Sequence, residues 1–186
     1  MGALLRFSEG SRRLLESVAL VSGWLLVVMA AVTCFDVLAR KTGIPAPLTK
    51  LQELEWHFHA ALFSLWMGYG YTINANPRVD SFTESLSYRR KAWIELAGCL
   101  LFALPYTAVL LWYGWDFVRT AWVFNESSDA ALGLPYRWVI KGVMYLGLWL
   151  LLLGIVSVLL RLVAFLFGKR PPEEVQLKIG ASVSQV

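Results

Sequence analysis

Charged residues are scarce in this chain of 186 residues. Asp, Glu, Lys and Arg together make up 16% of it, against 58% hydrophobic residues, and its mean hydropathy is +0.57. A typical soluble domain has about 25% charged residues. The composition therefore excludes an ordinary water-soluble domain and indicates an integral membrane protein.

Long polar stretches are also lacking, so little of the chain is left for a soluble domain. A helix needs roughly 20 largely apolar residues to cross a hydrocarbon core of about 30 Å. Four segments meet this requirement: 14–38, 51–73, 92–117 and 136–167. The predicted fold class is an all-α integral membrane protein with four transmembrane helices, forming one domain over residues 1–168.

Ionisable residues are missing from the centres of all four predicted helices. The stretches 19–35, 60–74, 97–115 and 142–160 contain no Asp, Glu, Lys, Arg or His. Ionisable side chains at that depth mark ion and substrate paths, because little else offsets the cost of burying them. We therefore do not expect the chain alone to carry a charged solute, and a structural, regulatory or assembly role is predicted.

Histidine and cysteine are nearly absent, with two of each. His57 and His59 are two residues apart and point about 200° apart on a helix, so they cannot ligate one haem together. Glu53 and Glu55 each lie four residues before one histidine, so each helix face carries one acid and one imidazole. A metal site needs at least three protein ligands, so neither face completes one. We predict no cofactor, no metal and no enzyme activity, and the role of the histidines stays unexplained.

The distribution of basic residues predicts the orientation of the chain. They concentrate in the first thirteen residues, in the connection between the second and third helices, and near the end. The positive-inside rule then places both termini and this connection in the cytoplasm. The net charge of +4 follows from this topology and does not indicate nucleic-acid binding. Residues 169–186 are predicted to form a disordered cytoplasmic tail.

A short amphipathic helix is predicted over residues 81–91, at the membrane surface. Ser81 and Glu84 have the spacing of a capping box, which starts a helix. Three basic residues at its end are expected to contact anionic lipid headgroups: Arg89, Arg90 and Lys91.

The second helix begins with acids and continues with small residues. On the face of Glu53 follow Ala60, Ser64 and Gly68, a small-x-x-x-small ladder that lets helices approach closely in lipid. A partly buried charge is tolerated only with a partner. We therefore expect Arg40, at the end of the first helix, to pair with Glu53 or Glu55 across the short proline-containing loop.

Five short motifs occur in a recognisable order: "QELEW", "GYGYTI", "NPRVD", "LWYGWDF" and "ESSDAALGLPYRWVIKG". Together, over about residues 14–167, they resemble the small membrane subunit of tripartite ATP-independent periplasmic (TRAP) transporters. That resemblance implies a four-helix scaffold in the bacterial inner membrane, with both ends cytoplasmic.

The resemblance also implies partners and a function. The expected partners are a large multi-spanning membrane subunit, which holds the substrate and ion sites, and a periplasmic solute-binding protein. The small subunit would scaffold the first and help to dock the second, in symport of an organic acid or similar solute driven by an ion gradient, with sodium as the expected ion. The alternative is a membrane anchor or a haem- or metal-binding subunit of an electron-transfer complex.

The resemblance carries over to individual positions. These are Gln52, Glu53 and Trp56 in the first motif, Arg78, Val79 and Asp80 in the third, and Gly133, Leu134, Pro135 and Trp138 in the last. Glu53 and Trp56 are expected at the outer surface in subunit packing or docking, and Arg78 and Asp80 in the cytoplasmic turn. The chain has Gln52 where many members have a second glutamate, and its histidines are not a family hallmark.

Overall fold

The computed structural model describes residues 2–76, 83, 85–130, 132–168 and 171–179. All regular structure in these residues is helical, which confirms the all-α prediction. The helices are α1 Gly2–Thr42, α2 Leu48–Thr72, α3 Tyr88–Gly98, α4 Leu104–Val123 and α5 Trp138–Gly168, and a π-helical turn, Cys99–Ala103, joins α3 to α4.

Three helical stretches are long and apolar enough to cross a membrane. They are α1 (Gly2–Thr42), the continuous stretch of α3, the π-helical turn and α4 (Tyr88–Val123), and α5 (Trp138–Gly168). The remaining long helix, α2, carries glutamates and histidines in its first turns, which lower its hydropathy. Its crossing of the membrane, predicted over residues 51–73, therefore stays a prediction.

The first helix is much longer than expected. It begins at Gly2 and not near residue 14, and at roughly 1.5 Å per residue its 41 residues span about 60 Å. Ion pairs one turn apart stabilise the added turns: Arg12 lies 2.8 Å from Glu9 and 3.2 Å from Glu16. The basic start of the chain is thus helical, and helix extends beyond the apolar run.

The separate surface helix predicted over residues 81–91 is not confirmed. Residues 77–82 and 84 lie outside the described part of the chain, and they include Arg78, Asp80, Ser81 and Glu84. Thr83 and Ser85 lie in turns, and helix begins only at Tyr88. Arg89, Arg90 and Lys91 therefore form the first turn of the helix that leads into the third predicted span, four residues before its expected start.

The π-helical turn lies immediately before Pro105. The backbone N–H of Leu104 bonds to the carbonyl of Cys99, five residues back instead of four. Pro105 lacks an N–H, and its ring clashes with the carbonyl four residues earlier in a regular helix. A wider turn before the proline relieves that clash, and a single π-helical turn within a longer helix is the usual form of such an adjustment.

The chain divides into two compact units. The first comprises Met1–Glu16, Met67–Val109 and Leu150–Val186, and the second comprises Ser17–Trp66 and Leu110–Trp149. Both units contain segments of the same long helices.

A buried arginine connects three segments of the first unit. Arg161 on α5 is only 4% exposed. Its guanidinium donates to the Ser8 hydroxyl at 2.8 Å and to the Gln176 carbonyl at 3.0 Å, and it lies 3.3 Å from the Glu9 carboxylate. A buried charge is stable only when partnered in this way. Arg161 thereby fastens α1 and the segment after α5 to α5 itself.

The segment 171–179 is packed, although the sequence predicts a disordered tail from residue 169. It forms consecutive turns, and Val175, Leu177 and Ile179 are buried in an apolar cluster with residues of α3 and α5. The Tyr88 hydroxyl also donates to the Leu177 carbonyl at 2.6 Å. Alternate apolar residues in this segment supply the buried surface that a disordered tail lacks.

The small residues of α2 contact α5 within the chain. In the first unit, Gly68 lies against the backbone of Leu150, where an added Cβ would stand 2.6 Å from the carbonyl carbon. In the second unit, a Cβ added to Gly147 would stand 2.6 Å from the carbonyl oxygen of Ser64. The predicted ladder is thus used at Ser64 and Gly68 for packing inside the chain, which leaves neither residue free to contact another subunit.

We predict that Gly68→Ala destabilises the protein, because the new methyl group would collide with the α5 backbone. An overpacked contact of this kind lowers the free energy of unfolding by about 1–3 kcal/mol. The matched control is Gly70→Ala, two residues along α2, where an added Cβ meets nothing within 4 Å. Thermal unfolding of the purified protein in detergent, followed by circular dichroism, measures both changes.

The control is expected to unfold at the wild-type temperature or slightly above it, because alanine is favoured over glycine in helices by about 1 kcal/mol. Equal unfolding temperatures for the two variants would contradict the proposed close packing.

Candidate functional site

Glu53 on α2 fastens the loop between α4 and α5, residues 124–137. One carboxylate oxygen, Oε2, accepts a hydrogen bond from the backbone N–H of Leu134 at 2.6 Å. The other, Oε1, accepts one from the Ser128 hydroxyl. Hydrogen bonds to an ionised carboxylate are about twice as strong as neutral ones. A single side chain therefore holds two points of a loop that lies far away in the sequence.

Gly133 is required by this close approach. A Cβ added at Gly133 would lie 2.7 Å from Glu53 Oε1 and would also strike the side chain of Ser128. The loop is closed from within by backbone bonds, from Ser128 N–H to the Leu134 carbonyl at 3.0 Å and from Arg137 N–H to the Glu126 carbonyl at 2.8 Å. The loop is thus held in a closed conformation by its own backbone bonds, and Glu53 binds it in that conformation.

Two cations at the α5 end of the loop contact aromatic rings and acids. The Arg137 guanidinium lies 5.8 Å from the centre of the Trp56 ring and 3.6 Å from the Asp129 carboxylate. Lys141 lies 3.9 Å from the centre of the Phe117 ring and forms an ion pair with Glu126. These cation–π contacts and ion pairs form a second attachment of the loop to α2 and join it to α4.

The start of α5 is displaced from the predicted position. Pro135 lies in the loop, and α5 does not begin at the predicted residue 136, because Tyr136 has a φ of 62°, which a helix does not accept. Helix begins at Trp138, whose ring contacts that of Trp122 edge-on at 4.4 Å. An aromatic pair therefore closes the base of the loop.

The geometry brings together two motifs that are widely separated in the sequence, "QELEW" and "ESSDAALGLPYRWVIKG". The DctQ family model, described as the DctQ component of tripartite ATP-independent periplasmic transporters, matches residues 29–165. The chain belongs to the DctQ family. This match confirms the resemblance to the small TRAP transporter subunit, and the DctQ family is a family of transporter components.

DctQ membership and the long apolar helices together indicate an integral membrane protein. The matched range contains both α2 and the loop that Glu53 holds. No curated protein and no solved structure matches the chain significantly.

Arg40 of this DctQ chain does not form the pair predicted with Glu53. Its Nε lies 2.7 Å from the Asp36 carboxylate, one turn earlier on α1, while both Glu53 oxygens accept from the loop. The i,i+4 partner is preferred because it is already placed by the helix. Glu55 lies within electrostatic reach of Arg40, yet its Oε1 is buried without a hydrogen-bond partner among the described residues.

The histidines lie on different faces of α2, as their spacing requires. His57 Nδ1 donates to the carbonyl of Glu53 at 2.6 Å, and its ring lies 4.5 Å from that of Trp56. His59 is exposed at the edge of an apolar groove beside Phe63 and Trp66. His57 therefore supports the turn that carries Glu53 and Trp56. Nowhere in the described ranges do three or more His, Cys, Asp or Glu residues form a group that could hold a metal.

Some predicted residues lie apart from the loop attachment. Gln52 is exposed at the start of α2, and Arg89 donates to the carbonyl of Leu166 at 3.5 Å. Conversely, sequence reasoning missed Ser128, Arg137 and Lys141. All three stand in the last motif, but a single sequence gives no signal for the helix against which a loop packs.

We predict that Glu53→Gln loosens the 124–137 loop, because an amide replaces one of the two accepting oxygens. Loss of a hydrogen bond to a charged group costs about 1.5–3 kcal/mol. Hydrogen–deuterium exchange read by mass spectrometry is expected to show faster exchange in peptides that contain Leu134. Gln52→Ala, at the exposed neighbouring position, is the matched control and should exchange like the wild type. Unchanged exchange in Glu53→Gln would refute the attachment.

Proposed function

We propose that this DctQ chain is the small membrane subunit of a TRAP-type secondary transporter, in which it scaffolds the large membrane subunit. The family match over residues 29–165 carries this proposal. The large subunit would hold the substrate and ion sites and would drive uptake of an organic acid or similar solute with a sodium gradient. The chain itself would lie in the bacterial inner membrane with both termini in the cytoplasm.

Two features of the chain support a scaffold over an independent carrier. The central parts of its long helices contain no ionisable residue that could mark a solute path. The middle of α1 also exposes large apolar side chains, with Trp24 72% and Val21 74% exposed. Apolar surface of this extent must be covered by lipid or by another subunit.

We further propose that the loop held by Glu53 helps to dock the periplasmic solute-binding protein. The loop is fastened at two points, yet it exposes the apolar side chain of Phe124, which is 78% exposed, and the carboxylate of Asp129. A loop already ordered before binding loses less conformational entropy when a partner docks. The electron-transfer alternative receives no support from a family of transporter components.

Reconstitution into liposomes tests the scaffold role. We expect uptake of a labelled organic acid, driven by an inward sodium gradient and dependent on the binding protein, only when the chain and the large membrane subunit are reconstituted together. Liposomes with the large subunit alone and with the chain alone are the controls. Equal uptake by the large subunit alone would refute the scaffold role, and uptake by the chain alone would refute the whole proposal.

The docking role is tested separately by binding measurements on the reconstituted complex. Glu53→Gln is expected to weaken binding of the solute-binding protein, because the loop must then be ordered during docking, and to leave co-purification of the chain with the large subunit unchanged. Gln52→Ala serves again as the control. If Glu53→Gln removes the large subunit and leaves the affinity for the binding protein unchanged, Glu53 serves subunit packing and not docking.

A further inference from the structure

An apolar groove runs between α4 and α5, next to the ends that the 124–137 loop joins. Its volume is about 670 Å³. The α4 wall includes Trp115, Arg119 and Trp122, and the α5 wall includes Trp138, Gly142 and Leu146. These positions recur every three or four residues, so each helix presents one continuous face to the groove. From Trp115 to Val123 the groove follows about 12 Å of helix.

The groove is open toward the surroundings of the protein. Trp122 in its wall is 61% exposed, and Trp115 and Leu146 are about half exposed. Gly142 forms the floor of the groove, since it adds no side chain to the α5 wall and a Cβ added there would meet no atom within 4 Å. A slender apolar chain can therefore lie along the floor without displacing a side chain.

One cation stands in this apolar wall. Arg119 is the single charged residue that lines the groove, and it is exposed. The neighbouring cations Arg137 and Lys141 are both close to the Glu126 carboxylate. For Arg119, by contrast, the described part of the chain offers no ion-pair partner. Its charge is thus available to an anion that enters from outside.

The chemistry of the groove matches a phospholipid. Tryptophan is enriched where the hydrocarbon core meets the headgroups, and the groove has three tryptophans, Trp122 and Trp138 beside the helix ends and Trp115 two turns earlier on α4. An arginine at this level pairs with phosphate through charge-assisted hydrogen bonds. We propose that a phospholipid binds here, with an acyl chain along Gly142 and Leu146 and its phosphate on the Arg119 guanidinium.

Native mass spectrometry of the full-length chain in detergent, titrated with dioleoyl phosphatidylglycerol, tests the site. The wild type should retain one tightly bound lipid. Arg119→Gln should weaken its binding about fivefold, the effect of one basic residue near an anionic headgroup, and Arg119→Lys should restore most of it. Gly142→Leu, which fills the floor, should remove the tight site.

Matched controls separate the site from general lipid adhesion. Lys50→Gln removes an exposed cation outside the groove, and Gly70→Leu adds the same bulk at another helical glycine with open space around it. Both should bind phosphatidylglycerol like the wild type. Dioleoylglycerol, which lacks phosphate, should bind the wild type and Arg119→Gln equally, and glycerol 3-phosphate, which lacks acyl chains, should not bind tightly.

Wild-type affinity for phosphatidylglycerol in Arg119→Gln would overturn the proposal even if Gly142→Leu failed to fold. It would also be overturned if Gly142→Leu kept the lipid but lost the large membrane subunit on co-purification, because the groove would then receive a partner helix. The proposal does not depend on the transported solute or on the docking role of the loop.

Discussion

Backbone contact between α2 and α5 is the constraint on which the rest of the fold depends. In hydrocarbon, apolar burial does not drive helices together, so close packing must supply the attraction. Gly68 on α2 meets the backbone of Leu150, and Gly147 on α5 meets that of Ser64. Where side chains are this small, the helices have little freedom to slide or rotate against each other. The polar groups carried at the start of α2 are thereby held in defined positions relative to α5.

Those polar groups at the start of α2 order a surface loop of the protein. The Glu53 carboxylate accepts from both Leu134 and Ser128, and Trp56 lies under the Arg137 guanidinium. Both contacts act on the loop that precedes α5, and His57 supports the turn that carries them. A carboxylate would be costly in the middle of the membrane. Glu53 lies instead near the start of α2, where it orders the loop between α4 and α5. An ordered surface suits a subunit whose proposed work is to hold and receive other proteins.

The sequence could predict features that depend on residues close together along the chain, but not those that depend on contacts between residues far apart in it. Helix and apolar length are local properties, so the long helices were predictable, although their ends were not. The N-terminal turns of α1 contain the ion pair of Glu9 and Arg12, and α5 begins only after the left-handed conformation of Tyr136. The apolar residues of segment 171–179 were too few to predict a packed segment without the apolar cluster of α3 and α5 residues among which they are buried.

Composition and the order of motifs by themselves determined the class of protein, its helical nature and its family, because these depend on residue types and their spacing along the chain. The partners of individual side chains were decided only by the tertiary structure. Arg40 forms its ion pair with Asp36, and Glu53 accepts hydrogen bonds from the loop. The small residues Ser64 and Gly68 pack against α5 of the same chain. Each of these outcomes is a competition between a near partner and a distant one, and only the packing of the helices brings the distant partner within reach.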